Sequence, residues 1–277
     1  MTLEGKKYSI DIYIKAEHLL GFFVLISPLN KNKAMIRSMI LLLSLPFVMQ
    51  GQNSIKCTTS EINKKYFEEH PKDKLEREWL NEESRLAEFN KTAVSTSITI
   101  PIVFHVNDPT NPQKVTLAQV QSAVDILNED YNGLNPEFNS LRPEFQGIAS
   151  NFEINFCLAS IDPDGNSTNG ITYHYNSYNG REPNGSGGAV KGVSVWPCDK
   201  YLNVWIVNEV EDDGDLYYSG WAFYPSTSLA DQGLDGIVYN HRYLGYGEGS
   251  SDVSGPTSWQ AKMARVLTHE VGHYLNL

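Results

Sequence analysis

Residues 269–277 read HEVGHYLNL, in which two histidines four positions apart flank a glutamate. On an α-helix, side chains four positions apart lie on the same face, so His269 and His273 would point together and could bind one metal ion. Glu270 would then lie beside the metal, where a carboxylate can take a proton from metal-activated water. The spacing therefore predicts a helical zinc site with the chemistry of amide hydrolysis.

The residues around this motif predict an amphipathic helix. An apolar row on the side away from the histidines consists of Leu267, Val271 and Leu275. Thr257 and Gln260 have capping-box spacing, which predicts that the helix starts near Ser258. Gly272 is unfavourable inside a helix, and we interpret it as a point where another backbone approaches closely.

The motif resembles the zinc sequence HExxHxxGxxH of the metzincins, in particular the pappalysin family (pregnancy-associated plasma protein A-like metzincins) and its bacterial cytophagalysin branch. Asn276 stands where the general motif has glycine, and asparagine is the residue after glycine that best tolerates the left-handed conformation. The resemblance implies a third zinc histidine two residues beyond Leu277, and a C-terminal subdomain absent from the 277 residues. The chain as given would then be an incomplete catalytic domain with weak activity or none.

Further stretches resemble the family in the same order, so the resemblance covers about residues 97–277. They are FCLA (156–159), DPDG (162–165), KYLNVW (200–205), GWAFYP (220–225) and DGIVY (235–239). The resemblance implies a sheet edge strand that lines the cleft and consists of Gly220, Trp221, Ala222, Phe223 and Tyr224. Such an edge can pair with an extended substrate by strand addition.

The resemblance implies a secreted zinc-dependent metalloendopeptidase that hydrolyses internal bonds of protein or peptide substrates. Its metal would be Zn²⁺ on His269 and His273, with Glu270 as the general base and then the general acid. A secreted non-catalytic binding or adhesion module, derived from a peptidase fold, is the alternative. Other sources of the third ligand stay open from the residues alone, namely His105, His174 and His241.

The N-terminal sequence predicts export. Residues 35–52 have the pattern of a secretory signal peptide, because Arg37 precedes an apolar run that is followed by polar residues. Residues 1–34 are interpreted as a non-native upstream extension. The mature protein is expected outside the cell without stable membrane insertion, although a membrane anchor is the alternative for these short apolar runs.

Residues 53–95 are rich in charged side chains. Their sparse apolar stripe, at helical spacing, consists of Leu75, Trp79, Leu86 and Phe89. Between a signal peptide and a catalytic domain, this charged helical segment is interpreted as a propeptide, with a solvated linker as the alternative. Cys57 is a candidate cysteine switch, whose thiolate would occupy the open zinc position and keep the zymogen inactive, as in related latent peptidases. A free surface thiol is the alternative interpretation of Cys57.

Residues 96–277 are predicted to form one α+β domain. Apolar residues alternate in 98–106 and again in 152–158, which predicts two strands, and helical spacing between them predicts a helix from Thr116 to Tyr131. With the resemblance, these elements imply a zincin- or metzincin-like N-terminal subdomain. It would have a twisted mixed sheet, a backing helix and an active-site helix.

Composition limits the remaining possibilities. The chain has 22 basic and 33 acidic residues, a net charge of −11, and no basic cluster long enough to follow a phosphate backbone, which argues against nucleic-acid binding. Cys157 and Cys198 are a candidate disulfide in an exported domain. The Gly-, Asn- and Asp-rich stretch 162–192 is a candidate Ca²⁺ loop, with an ordinary surface loop as the alternative.

Overall fold

The computed structural model of the protein describes residues 55–89, 97–180, 188–211, 214–246 and 264–277. The predicted upstream extension, the predicted signal peptide and the predicted helix start near Ser258 lie outside these ranges. Within the described ranges, no helix combines the length and the apolar character needed to cross a membrane.

The described helices and strands alternate along much of the chain. The helices are α1 (Thr59–Glu69), α2 (Pro71–Phe89), α3 (Leu117–Tyr131), α4 (Pro143–Gln146), α5 (Gly188–Gly192), α6 (Thr227–Asp231) and α7 (Val266–Tyr274). The strands are β1 (Lys56–Cys57), β2 (Ile98–Asn107), β3 (Ile154–Leu158), β4 (Ile171–His174), β5 (Leu202–Val207), β6 (Tyr218–Ala222) and β7 (Ile237–Asn240). Short 3₁₀ helices span Pro112–Lys114, Pro136–Ser140 and His241–Tyr243.

The strands form one mixed sheet in the order β1-β6-β7-β5-β2-β3, and β4 also pairs with β2. Strand β2 runs parallel to β3, β4 and β5, and β5 runs parallel to β7. Strand β6 is antiparallel to β7, whereas β1 is parallel to β6. The mixed sheet and its helices confirm the predicted α+β architecture, and β1 is the outermost strand on the β6 side.

Two apolar clusters cover the two faces of the sheet. Because successive strand residues point to opposite faces, Val204 lies in one cluster and Trp205 in the other. The first cluster packs against the apolar rows of α3 and α7, and burying each such side chain contributes about 1.5–3 kcal/mol. The second packs against α1 and contains the aromatic side chains of Trp205, Trp221 and Phe223. This packing fixes the position of α7 on the sheet, so that its polar face can line a cleft.

Helix α3 has the predicted limits. Thr116 caps it, because its hydroxyl oxygen accepts a hydrogen bond from the Gln119 amide at 3.3 Å. The helix ends at Tyr131 with Asn132 as its C-cap, and Gly133 follows with a φ of +62°. The Gln119 side chain does not return to the cap but donates to the Leu244 carbonyl at 2.9 Å, which ties α3 to the segment after β7.

The predicted disulfide is not formed, since Cys157 and Cys198 are both free thiols. Cys157 is exposed on β3. Cys198 Sγ instead lies 3.8 Å from the carbonyl oxygens of Trp196 and Asp235. The two thiols therefore occupy separate environments, which the sequence positions of the cysteines could not reveal.

The calcium prediction also lacks support in the described part of 162–192. The Asp162 carboxylate accepts hydrogen bonds from the backbone amides of Asp164 at 3.0 Å and Asn166 at 2.8 Å. These bonds lower the pKa of Asp162 and stabilise a turn. The stretch is therefore an ordinary turn at this point.

Candidate metal centre and active site

Helix α7 presents the predicted residues on two distinct faces. Leu267 and Val271 are buried in the first apolar cluster, and Leu275 packs at its margin. His269 is exposed and His273 is half-buried, on the opposite side of the helix. The apolar row and the histidine pair therefore separate as the sequence predicts.

Asn276 terminates this helix. Its φ of +64° is left-handed, as predicted for the residue in the glycine position of the motif. The Leu277 amide then donates to the Gly272 carbonyl at 2.9 Å, and the Asn276 amide donates to the His273 carbonyl at 3.1 Å. These bonds satisfy carbonyl groups of the last turn and stop the helix directly after the histidine pair.

Within the part of the chain that the structure describes, no other backbone lies close to Gly272, contrary to the prediction. A Cβ placed there would meet only the Tyr131 hydroxyl among these residues, at 3.7 Å. The glycine therefore sits against a side chain of α3 at ordinary contact distance.

The two imidazoles form a site that fits a zinc ion. Their Nε2 atoms are 3.0 Å apart. Two nitrogens bound to one tetrahedral zinc at about 2.0–2.1 Å would be roughly 3.3 Å apart, so little movement is needed. Cys57 completes the group, because its sulfur and the two histidine nitrogens all lie within 4.8 Å of one another. Sulfur and imidazole nitrogen are the donor types that zinc prefers.

Glu270 lies directly beside this group and is completely buried. One oxygen, Oε2, accepts from the Thr59 hydroxyl at 3.2 Å and lies 3.5 Å from Cys57 Sγ, while Oε1 accepts from the Ser219 hydroxyl at 3.4 Å. Burial raises the pKa of Glu270 to about 7, although these donors oppose the rise. A carboxyl group in this environment can both accept and release a proton near neutral pH.

Cys57 reaches the site from the N-terminal segment. Strand β1 pairs with β6, so that Lys56 lies opposite Tyr218 and Cys57 opposite Gly220. The Thr58 amide continues this ladder by donating to the Gly220 carbonyl at 3.3 Å. The predicted edge strand therefore corresponds to β6 and the two residues after it, and the described chain covers its outer edge with its own N-terminal segment.

Helix α2 crosses the other end of the cleft. The Arg77 guanidinium stacks 3.3 Å from the centre of the Tyr224 ring, and the Asn276 side chain donates to Asn81 at 2.8 Å. The Tyr224 ring also meets the His273 ring edge-on at 5.9 Å. Sequence reasoning missed these contacts, as well as those of Thr59 and Ser219, because no local pattern distinguishes such polar residues from surface residues.

The other histidines considered as ligands lie elsewhere. His105 is buried, with its ring nitrogens 2.8 Å from the Thr172 hydroxyl and 2.9 Å from the Asn203 side-chain oxygen. Burial lowers the pKa of His105 to about 3, so its ring is neutral and structural. His174 bonds the same Thr172 hydroxyl at 2.8 Å. Among the described residues, neither these two nor His241 joins the group formed by Cys57 and the histidine pair.

The start of α7 is anchored to α3 by Asp130. Its carboxylate accepts from the Thr268 hydroxyl at 2.6 Å, from the Asn135 side chain at 2.8 Å, and from Arg265. The Asp130 side chain is only 8% exposed, which makes these charge-assisted bonds stronger than surface pairs. The network therefore fixes the residue immediately before His269.

Replacing Asp130 with alanine should lower the free energy of unfolding by about 2 kcal/mol, because Thr268 and Arg265 lose their buried partner. Urea denaturation measures this. The matched control is Glu137→Ala, since Glu137 contacts Arg265 only at 3.9 Å and its side chain is 61% exposed. The control should change stability by less than about 0.5 kcal/mol. Equal losses in the two variants would contradict an anchoring role for Asp130.

Comparison with known proteins gives consistent similarities. Residues 189–277 match the peptidase family described as pregnancy-associated plasma protein-A. No curated protein matches the chain. Among solved structures, Tannerella forsythia mature mirolysin in complex with a cleaved peptide is similar, with 31% identity and a TM-score of 0.55 over 66% of this chain and 64% of that one. Mirolysin in complex with a compound matches over the same shares, with 31% identity and a TM-score of 0.54.

A third solved structure extends the similarity. It is a mutant of Tannerella forsythia promirolysin, with 27% identity and a TM-score of 0.61 over 80% of this chain and 69% of that one. This match therefore includes more of the chain than either mirolysin complex. By contrast, the chain spans slightly less than two thirds of those two complexed structures, at 64% of each.

Proposed function

We propose that the chain is a secreted zinc-dependent metalloendopeptidase made as a latent precursor, because its C-terminal sequence matches the pappalysin peptidase family and its fold is similar to that of mirolysin. The observation that carries the proposal is one cleft in which His269, His273 and the buried Glu270 meet beside strand β6. Its substrates are proteins or peptides, cut at internal bonds.

The metal ligands and the acid–base group have separate roles. His269 and His273 would hold the zinc through Nε2, and the third histidine is proposed two residues beyond Leu277. When bound, the zinc ion supplies Lewis-acid chemistry, polarising a carbonyl and lowering the pKa of water. Glu270 takes the proton of the attacking water on Oε2 and delivers it to the leaving amine nitrogen. In the precursor, where Cys57 and Thr59 cover the carboxyl group, burial raises the pKa of Glu270 to about 7.

Strand β6 and the residues after it align the substrate. Their outward backbone groups can bond an extended peptide by strand addition, which holds one peptide bond beside Glu270. Side-chain pockets would then determine which substrate sequences are cleaved.

We also propose that residues 35–52 are the signal peptide and that residues 53–95 are a propeptide. The promirolysin match supports the second assignment, because its additional coverage is close to the length of the segment that contains β1, α1 and α2. Cys57 is the inhibitory residue, and its thiolate would occupy the zinc position that water needs. The position of its sulfur within 4.8 Å of both histidine nitrogens supports this role.

The test uses the full-length precursor, secreted from its host and sequenced at its N-terminus. Removal of the residues before 96 by limited proteolysis should produce an enzyme with one zinc per chain that cleaves an unfolded protein at internal sites. Metal analysis and mass spectrometry of the products measure both properties, and a chelator should abolish cleavage. A zinc-loaded protein that cleaves no substrate would instead identify a non-catalytic binding module.

A further inference from the structure

The outward edge of β6 is not left open beyond the short strand β1. Strand β1 ends at Cys57, and the chain turns into helix α1 at Thr59. The edge nevertheless stays hydrogen-bonded as far as Tyr224, because two side chains of α1 reach it. These side chains belong to Thr59 and Asn63, which are both buried.

Asn63 takes the place of a strand residue. Its side-chain nitrogen donates to the Ala222 carbonyl at 2.8 Å, and its side-chain oxygen accepts from the Tyr224 amide at 2.8 Å. A residue in a neighbouring parallel strand would bond the same two groups, with its own amide and carbonyl. A further bond from the Asn63 side chain to the Thr59 carbonyl, at 2.8 Å, holds the carboxamide in this orientation.

Thr59 makes the hydrogen bond to β6 that lies between the contacts of Cys57 and those of Asn63. Its hydroxyl oxygen accepts from the Ala222 amide at 3.0 Å, where a neighbouring strand would provide a carbonyl. The same hydroxyl donates its one hydrogen bond to Glu270 Oε2 at 3.2 Å. The Thr59 side chain thus bonds both to the substrate-binding edge of β6 and to Glu270, the proposed catalytic base.

We propose that Thr59 and Asn63 act as a side-chain substitute for a substrate strand, which blocks the edge of β6 independently of the Cys57 thiol. A peptide substrate would need the Ala222 and Tyr224 backbone groups that these side chains occupy, so it must displace them. The substitute comes from a helix, whose backbone amides and carbonyls bond to each other. Beyond the short pairing of β1, the propeptide therefore fills the binding edge from Ala222 to Tyr224 without laying an extended peptide bond along it. This inference rests on the proposed peptidase function.

The test measures amide hydrogen exchange of the full-length precursor at single-residue resolution, which does not depend on peptidase activity. Asn63→Ala should accelerate exchange of the Tyr224 amide about tenfold, because its hydrogen-bond partner is lost. Thr59→Val keeps the shape of the side chain and should accelerate exchange mainly at Ala222. The matched control is Asn81→Ala, which removes a propeptide asparagine bonded to Asn276 and not to β6. It should leave both amides unchanged.

The same variants are assayed for peptidase activity before and after removal of the propeptide. Asn63→Ala precursor should show residual activity about tenfold above wild type, while the processed enzymes should be identical. Unchanged exchange at Tyr224 together with unchanged latency would overturn the inference, even if the processed enzyme is active. Faster exchange in a protein that cleaves nothing in any form would support the edge contact while refuting the peptidase function. If Asn63→Ala does not fold, Asn63→Leu replaces it, since its side chain keeps the size but can neither donate to Ala222 nor accept from the Tyr224 amide.

Discussion

The Glu270→Ala variant is expected to lose peptidase turnover by about 10³-fold while it retains its zinc. General acid–base catalysis typically contributes about 10²–10⁴-fold, and the loss should lie within this range because Glu270 is proposed to have both proton-transfer roles. The metal should stay, because the imidazoles of His269 and His273 remain in place. Metal analysis of the processed enzyme, beside a casein assay, measures both effects.

Two controls separate catalysis from folding in this experiment. Glu270→Gln keeps the size and one acceptor oxygen of the side chain but cannot take a proton, so it should be almost as inactive as the alanine variant. Ser219→Ala removes a donor to Glu270, at 3.4 Å, without removing the carboxylate, so most of the turnover should remain. Near-normal turnover of Glu270→Ala would rule out its role as the base. Simultaneous loss of zinc would show that the residue is instead needed to build the metal site.

The parts of the fold that the sequence predicts are those with a local repeat. The alternation in residues 98–106 predicts β2, and the spacing from Thr116 to Tyr131 predicts α3, because each element buries one face on the sheet. The same reasoning separates the apolar row of α7 from its histidines. Asn276 adopts the left-handed conformation expected at its position, which depends only on local backbone sterics.

The rest of the site depends on contacts between distant segments. Thr59 meets Ala222 and Glu270, which lie more than 160 positions away in the sequence, and Asn63 meets Tyr224 across a similar distance. From the sequence, a threonine and an asparagine in a charged helix are expected to be exposed to solvent. Thr59 and Asn63 are buried only because α1 packs on β6. The free thiols of Cys157 and Cys198 are a similar case, since pairing depends on where tertiary packing places each sulfur.

The proposed latency depends on three separable contacts from one short segment. The Cys57 sulfur lies at the histidine pair, Thr59 at Glu270, and Asn63 at the β6 edge. Of the three, only the sulfur would act through a bound metal ion. Its removal should therefore weaken latency without abolishing it, because the hydrogen bonds of Thr59 and Asn63 do not need zinc.

The Cys57→Ser precursor is accordingly expected to activate on the order of tenfold faster than wild type at neutral pH. A hydroxyl is a much weaker zinc ligand than a thiolate, so water can compete for the open zinc position. Backbone pairing of β1 with β6 should persist in the variant, which keeps the segment docked and limits the gain. The time course of precursor conversion, with cleavage of a small peptide substrate, measures the difference.

Cys157→Ser is the matched control, because Cys157 is an exposed thiol on β3 outside the metal site. It should activate at the wild-type rate, which excludes a general effect of losing a thiol. The Cys57→Ser protein after propeptide removal should match wild type in turnover, since residue 57 is then gone. If Cys57→Ser converts no faster than wild type and shows no residual activity, the thiol is not the inhibitory ligand, and latency must depend on the contacts of Thr59 and Asn63 alone.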